Sequence, residues 1–170
     1  MPFDKSHYIA EMKAMITIAI QRMRVEYRDY EVYTMSIWTD PNAGTSSINF
    51  DGKTHSDQQA NHYNQLIKKH YDSYIAKGDY ENAKLYAPVE SRNDNPAGFE
   101  LADFVETQHV GIELNWEYES DGKCWNVLTP LLQEVGDYAF EQAKNLKLHS
   151  DFELAVNGPD DWYELTWPKS

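Results

Sequence analysis

The sequence predicts an α+β fold: about three helices packed on an antiparallel or mixed sheet of five to six strands, in a single domain over residues 1–170. Three observations lead there. Three segments carry apolar residues at three- and four-residue steps, the mark of helices with one buried face. Between them lie short runs rich in β-branched and aromatic residues, separated by turn clusters, as in hairpins. The length of 170 residues is that of one domain, large enough to fold without a metal or disulfide.

The first helix is expected from Lys5 to Tyr27. Tyr8, Met12, Met15, Ile16, Ala19, Met23 and Tyr27 form its stripe, widened by Ile9, Ile18 and Ile20. Asp4 is placed to cap it, and Arg22, Arg24 and Arg28 complement its carboxyl end. Val32–Thr39 reads as a strand. Asp40-Pro41-Asn42-Ala43-Gly44 is a turn, Ser46–Phe50 a second strand, and Asp51-Gly52 its end.

A second helix is expected from Ser56, as N-cap, to Ala76, with Ala60, Tyr63, Ile67, Tyr71 and Tyr74 on one face and Gly78 at its end. A helical turn around 80–85 follows. Residues 88–98 are polar, with two prolines and a glycine, and read as a flexible loop.

In His109–Glu119 apolar residues occupy every even position from 110 to 118, so this run predicts a half-buried strand. Ser120–Lys123 then forms a turn, with Cys124–Leu128 pairing back. The third helix is expected from Thr129 or Pro130 to Leu146, with Pro130 at its first position. Gly136 inside it implies a close packing contact, because glycine there costs about 1 kcal/mol relative to alanine. Asp151–Val156 and Trp162–Trp167 are the last strands, joined by a turn at Asn157-Gly158-Pro159-Asp160-Asp161.

The chain carries a net charge of −13. Residues 1–98 hold 13 acids against 11 bases, and residues 99–170 hold 15 against 4. This asymmetry predicts an anionic surface on the second half. Such a surface repels nucleic acid and anionic membranes and speeds encounter with basic proteins. The plainer reading is a charge kept for solubility. A single cysteine, no leader-like stretch after Met1 and no long apolar run predict a cytoplasmic location with no membrane partner.

Short motifs for phosphate loops, nucleophile elbows, zinc sites and calcium loops are missing, and no cofactor is expected. Three looser constellations carry titratable or nucleophilic groups. His55 and His62 lie two helical turns apart, about 10 Å, too far to share one metal ion, and with His70 they read as solvated. Cys124 with His109 and Asn126 suggests a thiol nucleophile, but a small core residue is the simpler reading. Glu113, Glu117 and Glu119 share one strand face, and Asp121, Asp160 and Asp161 extend the acidic set. These serve a solvent face, an interaction surface or a carboxylate pair for hydrolysis. With Trp162 beside Asp160 and Asp161, the interaction reading gains an aromatic anchor for a basic surface.

One further pattern bears on function. A helix leads into Tyr33-Thr34-Met35-Ser36-Ile37-Trp38-Thr39-Asp40; later come Trp116-Glu117-Tyr118-Glu119 and an apolar helix with Leu131-Leu132. This order resembles a bacterial family of uncharacterised domains found among the immunity proteins of polymorphic-toxin systems. The resemblance implies a cognate toxin effector as partner, neutralised by direct contact, and no catalytic residues. The expectation is therefore a non-enzymatic, antitoxin-like protein with Glu113, Glu117, Glu119, Asp121, Asp160, Asp161 and Trp162 at its interface. A small hydrolase using carboxylates in a non-local site, or a structural adaptor domain, is the alternative.

Overall fold

The computed structural model describes residues 3–88, 92–111 and 123–169. Among these, four α-helices accompany a five-stranded mixed sheet, one helix more than expected because the turn at Tyr80–Ala83 closes as a short helix. Helix α1 spans Lys5–Glu26 and leads into the hairpin β1 (Val32–Asp40) and β2 (Thr45–Asp51). Helix α2 (Lys53–Ala76) and the single turn α3 (Tyr80–Ala83) follow, then β3 (Leu101–Gln108), α4 (Lys123–Ala143), β4 (Leu148–Val156) and β5 (Leu165–Trp167). The strand order is β3-β2-β1-β4-β5. Only the β1–β4 pair is parallel; the other three pairs are antiparallel.

Helices α1 and α4 pack on one sheet face. Tyr8, Met12, Met15, Ile16, Ala19, Ile20 and Met23 of α1 are buried, as their spacing requires. Ile18 breaks the expected stripe and is exposed, and Tyr27 lies beyond the helix as its C-cap. The sheet contributes Met35, Ile37, Ile48, Phe50, Leu154 and Val156 to this core. Each such side chain stabilises the fold by roughly 1.5–3 kcal/mol through loss of water contact. The Asp4 carboxylate accepts the His7 N–H at 2.9 Å, the expected cap.

The opposite sheet face is polar yet covered: Thr34, Ser36, Ser47, Asn49 and Asp51 are all buried. Helix α2 starts a turn before the expected Ser56, with Gly52 as N-cap. Ser56 is instead buried inside the helix, where its hydroxyl accepts the Asn93 N–H at 2.9 Å. Only Ser56 and Ala60 of α2 are buried, and Tyr63 of the expected apolar face is exposed. Gly78, with φ +71°, follows its end as expected.

The segment leading into the last helix folds otherwise than its spacing suggests. The fourth helix begins at Lys123, so Cys124–Leu128 is helical rather than a returning strand, and Pro130 lies inside the helix. Cys124, Leu128, Leu132, Val135, Ala139 and Ala143 form one continuous buried stripe, and their burial outweighs the roughly 3 kcal/mol that an interior proline costs. A strand the spacing does not suggest, β3, pairs with β2. The strand expected at His109–Glu119 is not one over its described part, since His109–Gly111 is irregular; residues 112–122 lie outside the described residues.

Candidate functional site: an aromatic and acidic cleft

Strand β4 ends at Val156, opposite Ile37, while its parallel neighbour β1 runs on to Asp40. The loops that leave them, 41–44 and 157–164, wall a cleft of about 310 Å³ with Trp125 of α4. Both loops are shaped by their own polar side chains. The Asp40 carboxylate accepts the N–H groups of Asn42 and Ala43 at 2.9 and 3.2 Å, closing the turn between β1 and β2. Gly44, at φ +62°, completes it.

On the β4 side, Asn157 acts as a substitute peptide group. Its Oδ1 accepts the Thr39 N–H and its Nδ2 donates to the Thr39 carbonyl, both at 2.9 Å. The β1–β4 ladder is thereby prolonged by a side chain while the backbone turns away. The Gly158 N–H then donates to the Asp161 carbonyl at 2.9 Å, and the Asp161 carboxylate accepts the Tyr163 N–H at 3.0 Å. A side chain at position 158 would meet Glu164 at 2.5 Å, so glycine is required there.

This loop lays Trp162 against Trp38. The two indoles are parallel within 8°, with centroids 5.7 Å apart. Trp162 remains 38% exposed, so one wall of the cleft is an indole presented to solvent. Asp40, Asp160 and Asp161 line it too, and among the described residues the lining contains no Lys, Arg or His. Neither Asp160 nor Asp161 has a cationic partner among the described residues. Trp125 is buried, and its Nε1 has no hydrogen-bond partner among the described residues.

Asp160, Asp161 and Trp162, consecutive in the chain, all line this cleft. The structure adds Trp38, Asp40 and Trp125 to them. Glu113, Glu117, Glu119 and Asp121 lie outside the described residues. The acidic excess of residues 99–170 is only partly displayed. Glu134 is paired with Lys13 at 2.8 Å and Glu141 with Lys144 at 2.6 Å, Glu100 accepts the Tyr30 hydroxyl at 2.8 Å, and Asp137 accepts the Trp167 indole N–H at 2.8 Å.

A second constellation surrounds His109. Its Nε2 is 2.7 Å from Ser46 Oγ and its Nδ1 2.8 Å from Glu11 Oε2. The chain continues from Ser46 to Thr39 at 2.6 Å and from Thr39 to the Tyr8 hydroxyl at 2.9 Å. Nucleophile, base and acid thus stand in the order of an acyl-transfer triad. Ser46 is 1% exposed, however, and its hydroxyl is bonded on both sides, so no substrate carbonyl reaches it. Burial holds His109 below the usual histidine pKa, against the opposing pull of Glu11, and pushes the Tyr8 phenol up to about 12. The arrangement is a sealed polar tie that joins α1, β1, β2 and the end of β3. It also occupies both nitrogens of His109, which removes that residue as a base for Cys124, itself fully buried on α4.

The helix α2 histidines are dispersed. His55 pairs with Asp51 at 2.6 Å, His70 stacks on Tyr86, and His62 is exposed. Burial raises the Asp51 carboxyl above its ordinary value, opposed by hydrogen bonds from the Glu100 N–H and His55. No described helix is long and apolar enough to cross a membrane. No protein-family model, curated protein or solved structure matches this chain.

Proposed function

We propose that this chain is a protein-binding module of the antitoxin (immunity) type, which captures a basic effector protein at the Trp38–Trp162 cleft. The observation that carries this reading is the cleft's composition: an exposed indole face, stacked from behind and ringed by three carboxylates with no cation in the lining. Aromatic anchors in such surroundings are the groups that dominate protein interfaces. A lysine or arginine side chain of a partner gains a cation–π contact on Trp162 and ion pairing to Asp160 and Asp161 at once. Stacking on Trp38 holds the anchor in place before binding, which lowers the entropy cost of association. The resemblance to toxin-immunity domains and the charge asymmetry support the same partner chemistry.

The test is binding to the effector domain encoded beside this chain's gene, measured by surface plasmon resonance. Asp160→Lys/Asp161→Lys is expected to slow association about tenfold or more at low salt. Trp162→Ala is expected to raise Kd about thirtyfold, mostly through faster dissociation. Rates unchanged in both variants remove the cleft from the interface. The parallel variant Glu117→Lys/Glu119→Lys asks the same of the acidic run read from the sequence.

A further inference from the structure

A second cleft, of about 540 Å³, opens where the carboxyl ends of α1 and α4 meet. Its lining holds Arg24, Arg28, Lys147, Gln21, Asn145 and Tyr27, with the side of Tyr30 and Leu146 beneath. In a chain with 28 acids and 15 bases, this lining contains three cations and, among the described residues, no carboxylate. The carboxylates nearest in the chain are engaged or outside it. Glu26 is gripped by Arg22 through two hydrogen bonds of 2.8 and 2.9 Å, and Glu100 accepts the Tyr30 hydroxyl on the sheet side. Asp29 and Glu31 flank Tyr30 but do not line the cleft. Among the described residues none of Arg24, Arg28 and Lys147 has an ion-pair partner.

Compensation of helix dipoles accounts for only part of this. That effect is confined to the last turn of a helix. Only Arg24 is in the last turn of α1; α4 has no base in its last turn, and Arg28 and Lys147 lie beyond the helix ends. Three like charges with no carboxylate partner among the described residues repel one another, offset only by the partial negative charge of the two helix ends. Beside them stands a flat apolar surface. The Tyr27 ring is 37% exposed and is held edge-on by Tyr30 and Phe104, with centroids at 6.2 and 5.6 Å. The amides of Gln21 and Asn145 add neutral donors and acceptors. The volume is that of a small-molecule site.

We propose that this cleft binds a nucleoside diphosphate or a closely related phosphate-bearing ring compound. The two phosphates take Arg24, Arg28 and Lys147, with the guanidinium groups suited to forked contact with phosphate oxygens. The ring lies on Tyr27, and its polar edge meets Gln21 and Asn145. This site is separate from the Trp38–Trp162 cleft and stands or falls independently of the proposed partner.

The experiment is calorimetric titration of the full chain with ADP and with inorganic pyrophosphate, paired with amide-shift mapping by NMR. ADP is expected to bind one-to-one with a Kd below about 1 mM, and pyrophosphate at least about tenfold more weakly. Affinity for ADP is expected to fall with added salt, because the contacts are ionic. Arg24→Ala/Arg28→Ala is expected to lose about tenfold or more, with an unchanged far-UV spectrum, and Trp162→Ala to lose nothing. Should the double variant fail to fold, Lys147→Glu, at an exposed loop position, carries the same test. Three results overturn the proposal: no saturable heat with ADP, shifts that map away from Arg24 and Lys147, or pyrophosphate binding as tightly as ADP, which would leave the Tyr27 ring without a role.

Discussion

A methyl group placed on Gly136 would fall 2.0 Å from Cη2 of Trp167. The indole of the last strand therefore rests directly on the backbone of α4, and its N–H is tied to Asp137, one residue further on, at 2.8 Å. Gly136→Ala gains about 1 kcal/mol of helix propensity. It must also displace an indole that is 3% exposed, and overpacking of that kind costs about 1–3 kcal/mol, at times more. Sub-van-der-Waals overlap with three ring atoms puts this site at the upper end, so a net loss of about 1–2 kcal/mol is expected. Thermal unfolding should drop by roughly 2–8 °C. A variant as stable as the parent would mean that β5 is not fixed to α4.

The sealed network at His109 gives a pH dependence. With Nδ1–H donated to Glu11, Nε2 accepts the Ser46 hydroxyl, Ser46 accepts Thr39, and Thr39 accepts Tyr8. A second proton on the imidazole reverses that chain and leaves the Tyr8 hydroxyl proton without an acceptor. The folded histidine sits below its unfolded value of about 6.5, so the unfolded chain binds the extra proton first. The histidine's contribution is complete above that value and is lost as pH falls through the folded one. Urea midpoints of the parent are expected to fall between pH 7.5 and 5.5, and those of His109→Gln to fall less over the same span, measured by tryptophan fluorescence. A steeper decline in the variant would contradict the assignment.

Arg92 fastens the segment after α3 to the sheet. Its guanidinium donates to the Tyr33 carbonyl at 2.8 Å, to Thr34 Oγ1 at 2.6 Å and to the Asp151 carbonyl at 2.6 Å. It also lies 3.6 Å from the centroid of the Tyr33 ring. These contacts clasp β1 and β4 together at the start of their parallel run. Arg92→Ala is expected to cost roughly 1.5–3 kcal/mol in chemical denaturation. Arg92→Lys should recover less than half of that, since one ammonium cannot reproduce the planar fork.

Asn157 offers a probe of the cleft's scaffold that leaves its lining acids and indoles in place. Asn157→Asp replaces the donor facing the Thr39 carbonyl with an acceptor, while the bond from the Thr39 N–H is retained. Two facing acceptors at a buried position are expected to destabilise by about 1–3 kcal/mol. The loop bearing Trp162 should loosen with it, read as a weaker near-UV signal from the stacked indoles. Full retention of that signal would show that the loop is held by other contacts.

How much of this was legible in the sequence differs from element to element. Helix α1 was plain because a single buried stripe repeats over 22 residues and a capping aspartate marks its start. The hairpin β1–β2 was plain because its turn is closed by local side-chain hydrogen bonds that Asp40 and Gly44 announce. The close contact implied by Gly136 was also readable, though not its partner. Strand β3 was hidden by its own irregularity. Ile48 to Phe50 on β2 faces Leu101 to Val105 on β3, and the surplus residues bulge out at Asp103, which adopts φ +48°. A bulge breaks the two-residue period that a strand is recognised by. The start of α4 was masked in the same way, by a proline that propensity places at a helix's first turn and that core burial carried into its interior.

By itself, then, the sequence determined the α+β class, the buried stripes of α1 and the later half of α4, the turns at 40–44 and 157–161, and the acidic-aromatic character of Asp160, Asp161 and Trp162. These depend on chemistry within a few residues of chain. Tertiary structure alone decided that Trp38 lies under Trp162, that Arg24, Arg28 and Lys147 share a cleft, and that His109 is sealed against Ser46 and Glu11. Each of these joins residues that lie far apart in the chain, and they meet only once the parallel β1–β4 pairing and the packing of α1 on α4 have fixed which loops and helix ends are neighbours. Local periodicity carries no information about that choice, because many sheet orders satisfy the same apolar pattern.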